Sequence, residues 1–239
     1  MRNGIDIFSL ESTLSAFFEC VTKSDQKESA YPYLDAMISI FRGQTSPGVI
    51  SFDLNDESTA RVIAQLKEHL QPYCPDVLKS LNMSLTYLLD ELICNIQQHA
   101  QADKGYAYLM YNKAAKAIEI LIADFGITIY GSYVAAQKHL DKLGDSDAEA
   151  LNLAQNGYST KNLPDTENRG YGISSNIKMV VDGLHGEFAA LSGNALLLQV
   201  ASNRKILALP PEIDFKGTMI MARIPAQVPD GFNLYDYMS

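Results

Sequence analysis

The chain has 239 residues, is 47% apolar and carries a formal charge of -9. That is enough apolar material for one large domain plus a small extension, and too acidic a balance for nucleic acid or an anionic membrane to be the general partner. No apolar run is long enough to span a bilayer, and the start MRNGIDIFSLEST lacks a charged leader followed by an apolar core, so a soluble cytoplasmic protein is expected. Cys20, Cys74 and Cys94 are widely spaced and form no C-x-x-C pair, which suggests a reducing compartment rather than a disulfide scaffold or zinc site.

Through residues 5–42, Phe8, Leu10, Leu14, Phe17, Phe18 and Val21, then Leu34, Met37, Ile38 and Phe41, recur at helix-like spacing around a loop-like SDQKESAYPY. This predicts a mainly helical extension over residues 1–45, serving either as a core-packing or a dimerising arm. The Gly- and Pro-containing stretch 43–48 is the boundary to a second domain over 46–229, followed by a tail, 230–239. Residues 49–54 are β-rich, capping residues from Asp56 to Thr59 open a helix to about residue 70, and Pro72 and Pro75 break the chain before a longer helix.

That longer helix ends in DELICNIQQHA. At about 100° per residue it places Leu85, Leu89, Leu92, Ile93, Ile96 and Ala100 on one face, while Glu91, Asn95 and His99 rise in successive turns beside them. A carboxylate, an amide and an imidazole at a core boundary need a ligand, an ion or protein groups to satisfy them. Cys94, within the same helix, reads as packing.

Residues 105–111 alternate as a strand, 112–115 form a turn, and 117–123 form a second, more buried strand ending in Asp124-Phe125-Gly126-Ile127-Thr128. A long polar and helical excursion follows before Arg169-Gly170-Tyr171-Gly172, and residues 127–169 read as a functional lid. A helix to about residue 181 comes next, then strands over 186–191, 195–201 and 218–224, with a Ser-Gly-Asn turn between the first two. The order predicts an α/β two-layer sandwich, a mostly antiparallel sheet with helices on one face.

Three separated pieces, E-x-x-x-N-x-x-x-H on a helix, D-x-G after a strand and G-x-G before a helix, resemble in order and spacing the N, G1 and G2 boxes of the GHKL ATPases. That superfamily holds DNA gyrase, MutL, sensor histidine kinases and anti-sigma-factor serine kinases. The resemblance spans residues 49–225 and includes Lys216-Gly217-Thr218-Met219 and Arg223-Ile224-Pro225, which look like the family's closing segment. It implies a Bergerat-type fold with a mixed sheet, and a stand-alone bacterial-type domain nearest in layout to anti-sigma-factor kinases. By this resemblance Asn95 would hold Mg²⁺ bridging the phosphates of ATP, Glu91 would be the catalytic base, and His99 would lie near the phosphates or lid.

Asp124 resembles the aspartate that accepts the adenine amino group, Gly126 would let the backbone pass close to the purine, and Thr218 would complete the base contact. Thr128 stands where the family's D-x-G-x-G has its second glycine, which implies a stiffer start to the lid. Gly170 and Gly172 would expose backbone N–H groups to phosphate oxygens, with Lys161 of Gly157-Tyr158-Ser159-Thr160-Lys161 and Arg169 as positive charge beside them or as solvated surface. The implied activity is ATP hydrolysis or transfer of the γ-phosphate to a regulatory partner protein, or else an ATP-gated interaction module with little turnover.

Two rival motifs fail. The letters D-F-G lack a preceding H-R-D-x-x-x-x-N and a glycine-rich loop with its strand lysine, and the third glycine of a dinucleotide fingerprint would fall at Ser175. His69, the one histidine before the central helix, lacks the H-E-x-x-x-P setting of a phosphoacceptor and reads as structural, as do His139 and His185; the four histidines form no metal cluster.

Overall fold

The computed structural model describes residues 9–23, 27–43, 47–54, 56–160 and 173–237. The chain divides into two compact units, Met1–Val49 and Ile50–Ser239.

The first unit is a helical hairpin of α1 (Leu10–Lys23) and α2 (Tyr31–Gly43), joined through a 3-10 turn at Lys27–Ala30. Ser9 starts α1 by accepting a hydrogen bond from the Ser12 N–H at 3.1 Å, which satisfies one of the free donors of a helix start. The ammonium of Lys27 donates to the Val21 carbonyl at 2.5 Å, near the other end of α1. Leu14, Phe17, Phe18, Leu34, Met37 and Phe41 are buried, at the helical spacing read from the sequence.

The second unit is built on one seven-stranded sheet. Its strands are β1 (Ile50–Asp53), β2 (Lys104–Asn112), β3 (Ala117–Asp124), β4 (Glu187–Gly193), β5 (Ala195–Val200), β6 (Asn203–Ala208) and β7 (Phe215–Pro225), in the order β1-β2-β3-β7-β4-β5-β6. Among the described residues every pairing is antiparallel, where a mixed, mostly antiparallel sheet was expected. The cause is β7, which enters between β3 and β4 antiparallel to both. Strand β6 was not anticipated: it is an edge strand, half-exposed and opened by Asn203 and Arg204, so it carries no clean apolar alternation.

The helices of this unit are α3 (Asp56–Leu70), α4 (Pro75–His99), α5 (Ile129–Ala136), α6 (Asp147–Gln155) and α7 (Ile173–Ile177). Pro75 opens α4, where a missing N–H costs nothing. The apolar row Leu78, Leu81, Leu85, Leu88, Leu89, Leu92, Ile93 and Ile96 packs in one core with Ile118, Ile120, Ile122, Ile220 and Ala222 of the central strands. A helix predicted from 173 to 181 is α-helical for one turn and then a π-helix over Lys178–Gly183, a hydrogen-bond pattern that residue types do not announce. Strand β3 is buried along its whole length, on both faces of the sheet.

The crossover connection between β3 and β4 carries α5 and α6. In its described part, Tyr133, Leu143, Ala150 and Leu153 form a small core of their own. Ser146 and Glu149 cap α6 as an S-x-x-E pair, the Glu149 N–H donating to Ser146 Oγ at 3.3 Å and the Asp145 N–H to Glu149 Oε2 at 2.9 Å.

Candidate functional site

Asp124 is the last residue of β3 and is 1% exposed. It is held in place from three sides. Its strand partner across the ladder is Thr218 of β7, and the Gly126 N–H turns back to donate to Asp124 Oδ1 at 2.9 Å. Phe125, the next residue, lies with its ring 5.5 Å from Tyr106 and 5.3 Å from Phe215. Burial pushes the Asp124 carboxyl up to about 7, against the pull of hydrogen bonds from the Gly126 and Thr218 backbone. A carboxyl kept this dry, with a value near neutrality, is what a functional site shows more often than a scaffold does.

Asp124 opens onto a pocket with about 750 Å³ of empty space, open solvent at its mouth included. The last turns of α4 supply one wall with Leu92, Asn95, Ile96 and His99; Asp124, Thr218 and Ile220 of the sheet supply another; the crossover contributes Thr128, Ile129, Tyr133 and residues 157–160. The wall is largely apolar, with a few polar side chains directed at fixed points.

Asn95, His99, Asp124, Thr128 and Thr218 therefore meet at one cavity. Asn95 is half-buried, and among the described residues its Nδ2 is buried without a hydrogen-bond partner. The amide thus keeps bonding capacity for something bound in the pocket. His99 Nδ1 hydrogen-bonds Thr160 Oγ1 at 3.0 Å.

Thr128 has φ -70°, a value any residue adopts, and caps α5 by accepting from the Gly131 N–H at 3.1 Å. This accounts for a threonine where the resemblance would have glycine: the chain enters a helix at once and has no need of a left-handed turn.

Glu91 and Gly126 do not line the cavity. Glu91 sits half-buried one turn before Asn95 on α4. Gly126, expected to pass close beside a purine, has a close neighbour within the chain. A Cβ there would stand 1.8 Å from the Ala100 carbonyl oxygen, so the glycine lets the chain cross the end of α4, where the Ile127 N–H donates to that oxygen at 2.6 Å. Lys161, Arg169, Gly170 and Gly172 lie outside the described residues.

Sequence reasoning did not single out Tyr133, Tyr158 or Ser192. The Tyr133 hydroxyl donates to the Tyr158 carbonyl, burial raises its phenol well above the ordinary range, and His139 Nε2 donates to Ser159 O at 3.1 Å. Lys142 lies 4.5 Å over the Tyr158 ring. These contacts hold the 157–160 segment against the cavity. Their one sequence signal was the capping pair Ser146-x-x-Glu149, which marks a helix inside the crossover.

Among the described residues no group of three or more His, Cys, Asp and Glu is placed to hold a metal ion by itself, and no helix is long and apolar enough to cross a membrane. The free cysteines are half-buried at Cys20 and Cys94 and buried at Cys74. No protein-family model matches the chain, and no curated protein matches it.

Proposed function

We propose that the second unit is a GHKL-type domain with a Bergerat fold that binds Mg-ATP between α4 and the sheet, and that it hydrolyses ATP or transfers the γ-phosphate to a partner protein in bacterial signalling. The observation that carries this reading is the buried Asp124 carboxyl, paired across the ladder with Thr218 at the closed end of an apolar cavity that also receives Asn95 and His99. A desolvated carboxylate bonded on one side by backbone N–H groups selects a ligand edge bearing an N–H donor, as the exocyclic amine of adenine does.

The residues fit the metal as well. Magnesium keeps most of its waters and takes one or two protein oxygens along with phosphate, so the side-chain oxygen of Asn95, at the cavity wall, would hold it. Bound there, the ion neutralises charge on the phosphates. Glu91, one turn earlier, would orient the attacking water or hydroxyl and take its proton.

One observation favours a second reading. Glu91 is outside the cavity wall, which suits an ATP-gated interaction module with little turnover. Glu91→Ala separates the two: it abolishes phosphate release or transfer with nucleotide binding retained in a catalytic protein, and changes little in a gated one.

Calorimetric titration with ATP, with and without magnesium, on the unmodified protein and on Asp124→Asn tests the reading common to both. The expected result is magnesium-dependent binding that Asp124→Asn removes. Absence of binding to the unmodified protein sinks both.

A further inference from the structure

Ser192 is fully buried at the end of β4, in register with Thr218. Its hydroxyl has two partners from distant parts of the chain. It accepts from the Ile129 N–H at 2.8 Å and donates to the Gly217 carbonyl at 3.1 Å. The first partner fixes the direction of the second: an oxygen that accepts from a backbone N–H turns its own proton elsewhere, and the carbonyl receives it. Both capacities of the buried hydroxyl are used.

Ile129 lines the pocket, and Gly217 immediately precedes Thr218, which lines it too. Ile129 is the first residue of α5, and its N–H is one of the donors that a helix start leaves without an internal acceptor. Gly217 precedes Thr218 and has φ +122°; a Cβ there would come within 2.1 Å of Asp124 O and 3.0 Å of Asp124 Oδ1, so this glycine is packed on Asp124 itself. The β4–β7 ladder steps from Ser192↔Thr218 to Gly193↔Phe215, leaving Lys216 and Gly217 as a bulge. The bulge turns the Gly217 carbonyl toward the serine side chain, the re-aiming that bulges perform beside binding sites.

The two residues after Ser192 fasten the other helix of the crossover. The Asn194 N–H donates to Asp147 Oδ2 at 3.2 Å, and Asp147 opens α6. Gly193, at φ +59°, admits that carboxylate where a Cβ would stand 2.0 Å from Oδ2. The Ser192-Gly193-Asn194 turn is thus a mount for the starts of both α5 and α6.

We infer that Ser192 is a positioning residue for the base-recognition end of the pocket, holding the start of α5 and the Lys216-Gly217 bulge in fixed relation around Asp124. The inference rests on the adenine-nucleotide reading above. It specifies that the base end is built in advance by the β4–β5 turn, independently of the phosphate end at Asn95.

The test is calorimetric titration of the unmodified protein, Ser192→Ala and Asn95→Ala with adenosine and with Mg-ATP, alongside thermal unfolding. Losing one buried hydroxyl that joins two pocket walls is expected to weaken adenosine and Mg-ATP binding by the same factor, roughly tenfold, at full stoichiometry and with magnesium dependence unchanged. A merely destabilising change would lower the stoichiometry instead. Asn95→Ala is expected to weaken Mg-ATP and spare adenosine.

Wild-type affinity for both ligands in folded Ser192→Ala overturns the inference, as does a loss confined to Mg-ATP. Ser192→Cys, close in shape but a weaker donor and acceptor, gives the same comparison if the alanine variant fails to fold, and wild-type affinity there also overturns it. If the unmodified protein binds neither ligand, the nucleotide reading itself fails. In that event amide exchange at Ile129, faster in Ser192→Ala, still reports whether the mount exists.

Discussion

His99 and Thr160 clasp each other in the pocket wall, Nδ1 of the one 3.0 Å from Oγ1 of the other, so the last turn of α4 and the end of the described crossover segment are joined directly. Thr160→Val keeps the shape of the side chain and deletes the hydroxyl. Loss of one such bond, worth about 1 kcal/mol, is expected to weaken Mg-ATP binding roughly fivefold and to speed amide exchange at residues 157–160. Calorimetry and hydrogen exchange read the two effects; unchanged exchange would show that the Tyr133 and His139 contacts suffice to hold the segment.

The buried carboxyl of Asp124 makes stability and binding respond to pH in opposite senses. Its value of about 7 in the folded chain lies above the ordinary 3.8, so the folded state holds a proton that the unfolded state has released. The stabilisation is complete below the ordinary value and is lost as pH rises through about 7. Binding of an N–H donor requires the ionised form, so affinity for ATP is expected to rise from about pH 6 to about pH 8 while the melting temperature of the free protein falls. Asp124→Asn is expected to flatten the melting curve's dependence over that range and to remove binding.

Away from the pocket, Glu119, Arg223 and Glu187 stand in one row across β3, β7 and β4. Arg223 Nε donates to the fully buried Glu119 Oε1 at 2.8 Å, Asn112 Nδ2 donates to the same oxygen at 3.0 Å, and Glu187 Oε2 is 3.5 Å from the guanidinium. Arg223→Met strips a buried carboxylate of its cation and is expected to destabilise by about 3–5 kcal/mol in urea unfolding. Adding Glu119→Gln should recover a large part of that, because the cost lies in the stranded charge rather than in the lost pair.

What the sequence made legible follows the range over which the physics acts. The face of α4 is a local periodicity, and Leu85, Leu89, Leu92, Ile93 and Ile96 are buried where 3.6-residue spacing puts them. The mixture of helices with an antiparallel sheet is local in the same sense. Strand β6 escaped because half-exposed edges carry no alternation, and the π-turn escaped because it is a choice of hydrogen-bond partner rather than of residue.

At the site, the motif resemblance pointed to Asn95, His99, Asp124, Thr128 and Thr218, which the fold gathers around one cavity. Gly126 was expected to let the backbone pass close to a purine; that the Ala100 carbonyl lies against it is a fact of tertiary structure. Ser192 was visible as part of a turn; its partners Ile129 and Gly217 are brought to it by the whole topology.

Strand β7 occupies the slot between β3 and β4, although it is made after every other strand of the sheet. Until residues 215–225 are made, the chain has no strand to join β1–β3 to β4–β6, and the edges of β3 and β4 that β7 covers lack their partner. Asp124 has no Thr218 beside it before that moment. On the proposed nucleotide reading, fragments ending before β7 are expected to bind nothing, since the pocket gains Thr218 and Ile220 only with the final strand.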